Sequence, residues 1–294
     1  MTNQLASWGL ARGDAIAEDL IAMRLLGGGH AYEAYLAFDE ILHAPVVVKV
    51  VRPDQVDDPV TLRGLEREAD MLADLAHPAI VRRFGVQLDG ARPHLILENL
   101  DGPRLSSLVR RHGALPVQQL LPLGLELASA LHYLRVRDVV HLDVKPSNVI
   151  MGAPARLIDL SLARRTEAAA RLDYVVGTDD YLAPEQADPQ GYGVPSPASD
   201  VWGLGATLYH AACGYAPYER GERDDPLEVR YPQLVSRPRR MPYFVPVEVA
   251  ELVYTCMAPD PRHRPEPRDV ALAIEPLMEA MPKARLSGFK ISAA

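Results

Sequence analysis

The sequence predicts an α+β protein, with a small β-rich lobe followed by a larger, mainly helical one. Between Ile21 and Leu100 the patterns are strand-like, with one helical interruption. After Asp101-Gly102-Pro103 helical periodicity takes over and recurs to about Met281. The 294 residues are 48% hydrophobic and 24% charged, enough to bury a core and too apolar for disorder.

Residues 1–20 carry weak helical signals and read as an N-terminal extension. The small lobe is expected over 21–100. MRLLGGGHAYEAYLAF reads as two strands joined by a glycine turn, PVVVKVV as a β-branched strand and RPHLILEN as another. One helix falls between them, from about Pro59 to Leu75. Asp57 or Asp58 can cap it, Pro59 suits its first turn, and Leu62, Leu65, Ala69 and Leu72 recur at helical spacing. The large lobe is expected over 101–281, with helices at Val117 to Arg135, Ala198 to Ala212, Val247 to Met257 and Val270 to Met281. Residues 282–294 form a tail. The most apolar long stretch, Leu115 to Leu134, contains Gln118, Gln119, Glu126 and two prolines, so it reads as a buried helix and not as a membrane span.

Charge narrows the function classes. With 31 basic and 39 acidic side chains the net charge is −8, which argues against gripping nucleic acid or an anionic membrane. Two cysteines, Cys213 and Cys256, make neither a disulfide framework nor a metal-ligand spacing and point to a reducing compartment. The N-terminus lacks the pattern of a signal peptide. With no membrane anchor and no room for a sensor domain, a soluble cytoplasmic protein is expected.

Two charges stand where apolar residues belong. Lys49 interrupts VVVKVV, and Glu68 lies between Leu65 and Leu72 on the apolar stripe of the small-lobe helix. A buried cation and a buried anion in neighbouring elements make natural partners. Taken singly, each also fits a peripheral place, Lys49 reaching the strand edge and Glu68 at the stripe's margin. The glycine turn Gly27-Gly28-Gly29 upstream can bring backbone N–H groups close to a phosphate, although hairpins also use glycine for positive φ.

The run HLDVKPSNVIM places Asp143, Lys145 and Asn148 within six residues, and LIDLS supplies Asp159 after a short apolar run. Carboxylate, ammonium and carboxamide at strand ends make a plausible metal–phosphate site, with oxygen ligands suited to Mg²⁺. Two solvated polar turns are the alternative, and an improbable one for both runs in this order.

In these residues the sequence resembles eukaryotic-like (Hanks-type) serine/threonine protein kinases of the kind found in bacteria, from about Ile21 to Leu277. The glycine-rich loop corresponds to Gly27 and Gly29, the strand lysine to Lys49 and the helix glutamate to Glu68. His77-Pro78-Ala79-Ile80-Val81 follows, then a hinge at Glu98, Asn99 and Leu100 with Leu97 as gatekeeper. The catalytic loop matches at His141, Asp143, Lys145 and Asn148, and the metal aspartate at Asp159. GTDDYLAPEQ supplies Gly177, Thr178 and Ala183-Pro184-Glu185, DVWGLG supplies Asp200, and DPRHRP supplies Arg264.

The resemblance implies a bilobal protein-kinase-like fold and a transferase that uses ATP and Mg²⁺ to phosphorylate a protein serine or threonine. It implies that Asp143 receives or orients the substrate hydroxyl, Lys145 stabilises the γ-phosphoryl group, and Lys49, held by Glu68, touches the α- and β-phosphates. Asn148 and Asp159 would hold the metal. Gly27, Gly28, Gly29, Ala34, Val47, Lys49, Glu98, Leu100 and Ile150 would line the nucleotide site. His141, Asp200 and the Glu185–Arg264 pair are expected to be structural, with Asp200 capping the catalytic-loop backbone.

Four departures from the family pattern stand out. Tyr32 replaces the third loop glycine and is expected to make the loop tip bulkier and stiffer. Leu160-Ser161 replaces Phe-Gly after Asp159, which should disfavour flipped inactive states. Ala34 and Val47 exchange the usual valine and alanine, conserving volume. Leu142 replaces the arginine that precedes the catalytic aspartate in many kinases and meets a loop phosphate there. Thr166 is the only serine or threonine between Leu162 and Gly177, so independence from activation-loop phosphorylation is expected. Two other readings compete: a pseudokinase holding nucleotide as a scaffold, to which Tyr32 and Ser161 point, and a small-molecule kinase, against which the Gly177 to Glu185 segment argues.

Overall fold

Alternation along two strands organises the small lobe. In β3 (Tyr32–Asp39) and β4 (Ala44–Val51) one face carries the fully buried Tyr35, Ala37, Val46, Val48 and Val50. The other carries the half-buried Tyr32, Ala34, Val47 and Lys49. A computed structural model describes residues 6–281. The expected 282–294 tail lies outside the described residues. The six-stranded antiparallel sheet runs β1 (Ala15–Ala17), β2 (Leu20–Gly28), β3, β4, β6 (His94–Glu98), β5 (Arg83–Gln87). The single long helix of the lobe, α1 (Pro59–Ala73), starts at Asp58, whose carboxylate accepts from the N–H groups of Val60 and Thr61.

Residues 6–20 contain no helix, contrary to their weak helical signals. Ile16 and Leu20, with Trp8 and Leu10, cover the fully buried sheet face, and Trp8 Nε1 donates to the Val51 carbonyl at 2.8 Å. Pairing to β2 and burial of Trp8 outweigh a weak local preference. Two further elements escape sequence patterning. Strand β5 is short and interrupted at Gly85 by a register shift. Helix α2 (Leu105–His112) is two turns long and has no side-chain cap.

The large lobe packs α3 (Val117–Val136) against α7 (Pro197–Cys213) and α10 (Pro267–Glu279), with α9 (Val247–Cys256) on α7. Small elements carry the connections: β7 (Val139–Val140), β8 (Val149–Ile150), β9 (Arg156–Leu157), β10 (Arg164–Arg165), α4 (Thr166–Ala169), α5 (Pro184–Ala187), α6 (Pro189–Tyr192) and α8 (Leu227–Arg230). One apolar core runs from Leu65 and Leu72 of α1 through Leu127 and Leu131 of α3 to Trp202 and Val253. The two lobes therefore share packing and do not hang on a linker alone. Cys213 and Cys256 are free and buried in that core. Among the described residues no helix is long and apolar enough to cross a membrane.

Candidate active site

Lys49 stays inside. Its Nζ lies 2.6 Å from Glu68 Oε2 and 2.9 Å from Asp159 Oδ1, and the side chains of Lys49 and Glu68 are 13% and 1% exposed. Register brings this about: Ala34 and Leu95 flank Lys49, and α1 crosses the same face with Thr61, Gly64, Leu65 and Glu68 on its buried stripe. Burial alone would lower the lysine pKa, but the charges of Asp159 and Glu68 outweigh it and raise it above the ordinary value. Burial likewise pushes Asp159 up, yet the charge and hydrogen bond of Lys49 hold its carboxyl well below the usual range. Burial raises Glu68 against the pull of Lys49.

The opposite wall is the loop after β7. Asp200, near the start of α7, accepts from the backbone N–H groups of His141 at 2.7 Å and Leu142 at 2.8 Å. This grip accompanies φ = +66° at Leu142, a conformation leucine does not adopt unaided. Burial pushes the Asp200 carboxyl up to about 7 while the two N–H donors oppose it. His141 is buried and neutral in preference, its pKa lowered by burial. Its Nδ1 accepts from the Asp143 N–H, which leaves Nε2 to donate to the Ile158 carbonyl at 3.3 Å.

Three polar side chains then converge on Asp143. Lys145 Nζ lies 2.7 Å from its Oδ2, and Asn148 Nδ2 donates to the same oxygen and to the Asp143 carbonyl, both at 3.0 Å. Thr178 donates to Asp143 Oδ1 at 2.7 Å and accepts from Lys145. Sequence reasoning placed Thr178 in a motif but gave it no part in the site. A threonine beyond a loop of low periodicity has no local signal, and only the fold returns it to Asp143. Gln186 was missed for the same reason. Its Nε2 ties the Leu142 carbonyl to that of Val176, 2.8 and 2.9 Å away.

The β8–β9 ladder brings Asn148 and Asp159 to one end, and the Ile158 N–H donates to the Asn148 carbonyl at 2.9 Å. Asp159 has φ = +65°, a second left-handed non-glycine residue at the site. With its Nδ2 engaged, Asn148 has an amide oxygen left, and Asp159 a carboxylate oxygen beyond the one facing Lys49. Such hard oxygen donors fit Mg²⁺, which keeps waters and phosphate oxygens as its other ligands.

The remaining nucleotide-side candidates lie around this cleft. Gly28 is required by contact: a Cβ there would sit 2.6 Å from the Tyr32 carbonyl. Gly27 has φ = +142° and Gly29 donates to the Tyr32 carbonyl at 3.0 Å, closing the hairpin. Ala34 and Val47 are half-buried on the Lys49 face, Leu100 packs at the margin of the core, and Ile150 pairs with Arg156. The Glu98 carboxylate is committed to Arg82 at 2.9 Å and Arg156 at 3.5 Å, and its N–H donates to the Arg82 carbonyl at 2.9 Å, so a ligand would have to use its carbonyl. Tyr32 does not enlarge the loop tip as expected. Its side chain turns under the sheet, where the hydroxyl donates to the Thr61 carbonyl of α1 at 2.8 Å.

Leu142 faces the stretch between Asp159 and Glu185, the activation segment of the resembled pattern. It is 2% exposed and clusters with Val140, Ala169, Leu172 and Val176.

Comparison with known proteins gives one family. The protein kinase domain matches residues 20–273. Serine/threonine-protein kinase PknB of Mycobacterium leprae is 31% identical over 252 residues, covering 82% of this chain and 40% of that protein. PknB of Mycobacterium tuberculosis H37Rv is 33% identical over 228 residues, 73% of this chain and 35% of that protein. Serine/threonine-protein kinase PrkC of Bacillus subtilis is 28% identical over 249 residues, 83% and 38% respectively. The chain thus spans about two fifths of the length of these bacterial relatives. Since the match takes in both lobes and every polar group gathered at the cleft, the chain belongs to the protein kinase domain family.

Proposed function

We propose that this chain is a protein serine/threonine kinase, transferring the γ-phosphoryl group of ATP to a serine or threonine hydroxyl without prior phosphorylation of its activation segment. The observation that carries the reading is the cleft itself. A carboxylate wired to an ammonium, an amide and a hydroxyl (Asp143, Lys145, Asn148, Thr178) faces a second ammonium braced by two carboxylates (Lys49, Glu68, Asp159). Phosphoryl transfer asks for positioning and charge neutralisation more than covalent chemistry.

In this reading Asp143 orients the acceptor hydroxyl and takes its proton as the new O–P bond forms and the bond to the β-phosphate oxygen breaks. Lys145 neutralises the oxygens of the transferring group, and Thr178 fixes the pair it bridges. Lys49 grips the α- and β-phosphates while Glu68 stops its ammonium from collapsing onto Asp159 alone. Asn148 and Asp159 would hold Mg²⁺, which when bound offsets the phosphate charge. Ala34, Val47, Leu100 and Ile150 shape the adenine slot, the Glu98 backbone contacts its edge, and Gly27, Gly28 and Gly29 cover the phosphates.

The Leu142 cluster supports independence from loop phosphorylation, because the segment is anchored by apolar burial that needs no phosphate. Free, buried Cys213 and Cys256 fit work in the reducing cytoplasm. The phosphorylated protein would be supplied by a partner that docks along the Gly177 to Glu185 segment.

Radiolabel transfer from γ-labelled ATP to a generic protein acceptor tests the reading. Wild type is expected to incorporate label with Mg²⁺, and Asp143→Asn to lose at least about 100-fold, the usual scale for a positioned proton acceptor. Equal incorporation by both proteins would end it.

A further inference from the structure

Tyr32 opens β3, and its side chain makes three contacts that converge on one task. Its hydroxyl donates to the Thr61 carbonyl in the first turn of α1 at 2.8 Å. Its ring lies under the Lys49 ammonium, 4.7 Å from Nζ to ring centroid. And it fills a notch in α1 left by Gly64, where an added Cβ would lie 2.8 Å from the Tyr32 oxygen.

The geometry follows from register. Tyr32 pairs with Val51 and Ala34 with Lys49, so Tyr32 and Lys49 are diagonal neighbours on one sheet face. On α1, Thr61, Gly64 and Glu68 share the buried stripe, with Glu68 one turn beyond the notch. A mid-helix glycine is a poor helix former, and here its lack of a side chain admits the phenol. The backbone of Tyr32 is itself held. Its carbonyl accepts from Gly29, and the Gly29 carbonyl accepts from Arg52 Nε at 2.7 Å, while Arg52 is ion-paired to the buried Glu33. Tyr32 therefore projects from an anchored hairpin.

We propose that Tyr32 is a positioning residue that docks α1 onto the glycine-rich hairpin, holding Glu68 against Lys49 before any nucleotide arrives and without an outside activator. Its effect on catalysis rests on the kinase reading above, whereas the docking of α1 does not. The Glu68 carboxylate then has two supports, the ammonium it faces and a tether two turns up its own helix. Burial raises the phenol to about 12, so the tether keeps its proton at every pH at which the enzyme would work.

Two readouts separate the clamp from the chemistry. In the nucleotide-free protein, Tyr32→Phe keeps the ring and loses the hydroxyl bond, and amide hydrogen exchange across residues 61–70 is expected to rise about threefold to tenfold, with other core amides unchanged. In transfer assays the same variant is expected to lower kcat about threefold to tenfold with KM for ATP within about twofold. In a Glu68→Gln background, Tyr32→Phe should then change kcat by less than about twofold, because the pair it positions is already broken. Gly64→Ala, which pushes against the phenol, should reproduce the exchange phenotype in wild type and cost less when combined with Tyr32→Gly. Wild-type exchange in Tyr32→Phe overturns the proposal, as does an equal kcat loss with and without the Glu68 carboxylate. If wild type transfers no phosphate at all, only the kinase reading falls, and the exchange result alone decides for or against the clamp.

Discussion

The carboxylate of Asp200 takes two adjacent N–H donors, His141 and Leu142, and through them sets the start of the loop that carries Asp143. An amide at this position presents one oxygen and one NH₂ group. Asp200→Asn therefore leaves a buried N–H unpaired, at a cost of about 1–3 kcal/mol. Urea unfolding should show that loss, and an unchanged midpoint would mean that Asp200 does not brace the loop. Lys49 and Asp159 make a testable pair in pH. The Asp159 pKa is depressed by Lys49, so its contribution is complete above the unfolded value of about 4 and is lost as the pH falls below it. The Lys49 pKa is raised, so its contribution is complete below about 10.4 and is lost only as the pH rises beyond that. The Tm difference between wild type and Asp159→Asn should thus be flat from about pH 5 to 9 and shrink below about pH 4. A difference that varied across neutral pH would contradict the pairing.

At the scale of elements, an apolar cluster ties the loop before Asp143 to residues 169–176. Leu142, with φ = +66° and 2% exposure, inserts into Val140, Ala169, Leu172 and Val176. Burying such side chains contributes roughly 1.5–3 kcal/mol each, comparable to the charge-assisted bonds a phosphate would make. Gln186 adds a polar stitch between the loop and the segment. Thr166 opens α4, and its backbone N–H donates to Asp138. Thr166→Ala should therefore leave the transfer rate within about threefold, whereas a loss of about tenfold, or 1.4 kcal/mol in barrier, would show that phosphorylation matters there. The N-terminal segment makes the complementary point. Trp8, Leu10 and Ile16 cover a sheet face whose own residues are wholly buried, so a stretch with helical leanings lies flat against strands.

Across the whole molecule, one buried ion pair pins the large lobe. Arg264 binds both oxygens of Glu185, at 2.6 and 2.9 Å, with neither side chain exposed. The carbonyls of Ala258, Ala198 and Pro259 take its other donors, and its guanidinium lies 5.1 Å from the Trp202 ring centroid. The pair joins the end of the activation segment to the segment before α10. Glu185→Gln strips the counter-charge from a buried guanidinium and should cost about 3–5 kcal/mol. Calorimetry would show a much lower Tm, and a shift within error would mean that the pair does not hold the lobe.

Lys49, Glu68, Asp143, Lys145, Asn148 and Asp159 stood out in the sequence as charges in apolar runs and a dense polar turn, but the anomalies left the Lys49–Glu68 pairing open, and it was the family resemblance that grouped the six. The two-lobe division was legible from the residues, since period-two and period-3.6 patterns occupy separate halves of the chain. Thr178 against Asp143, Gln186 between two carbonyls and the turn of Tyr32 toward α1 were not. These contacts join residues 35, 44 and 29 positions apart. No periodicity extends that far, and a side chain's direction follows from register and from the space its neighbours leave. Chemistry-bearing residue types are written along the chain, but which of them touch is settled by packing.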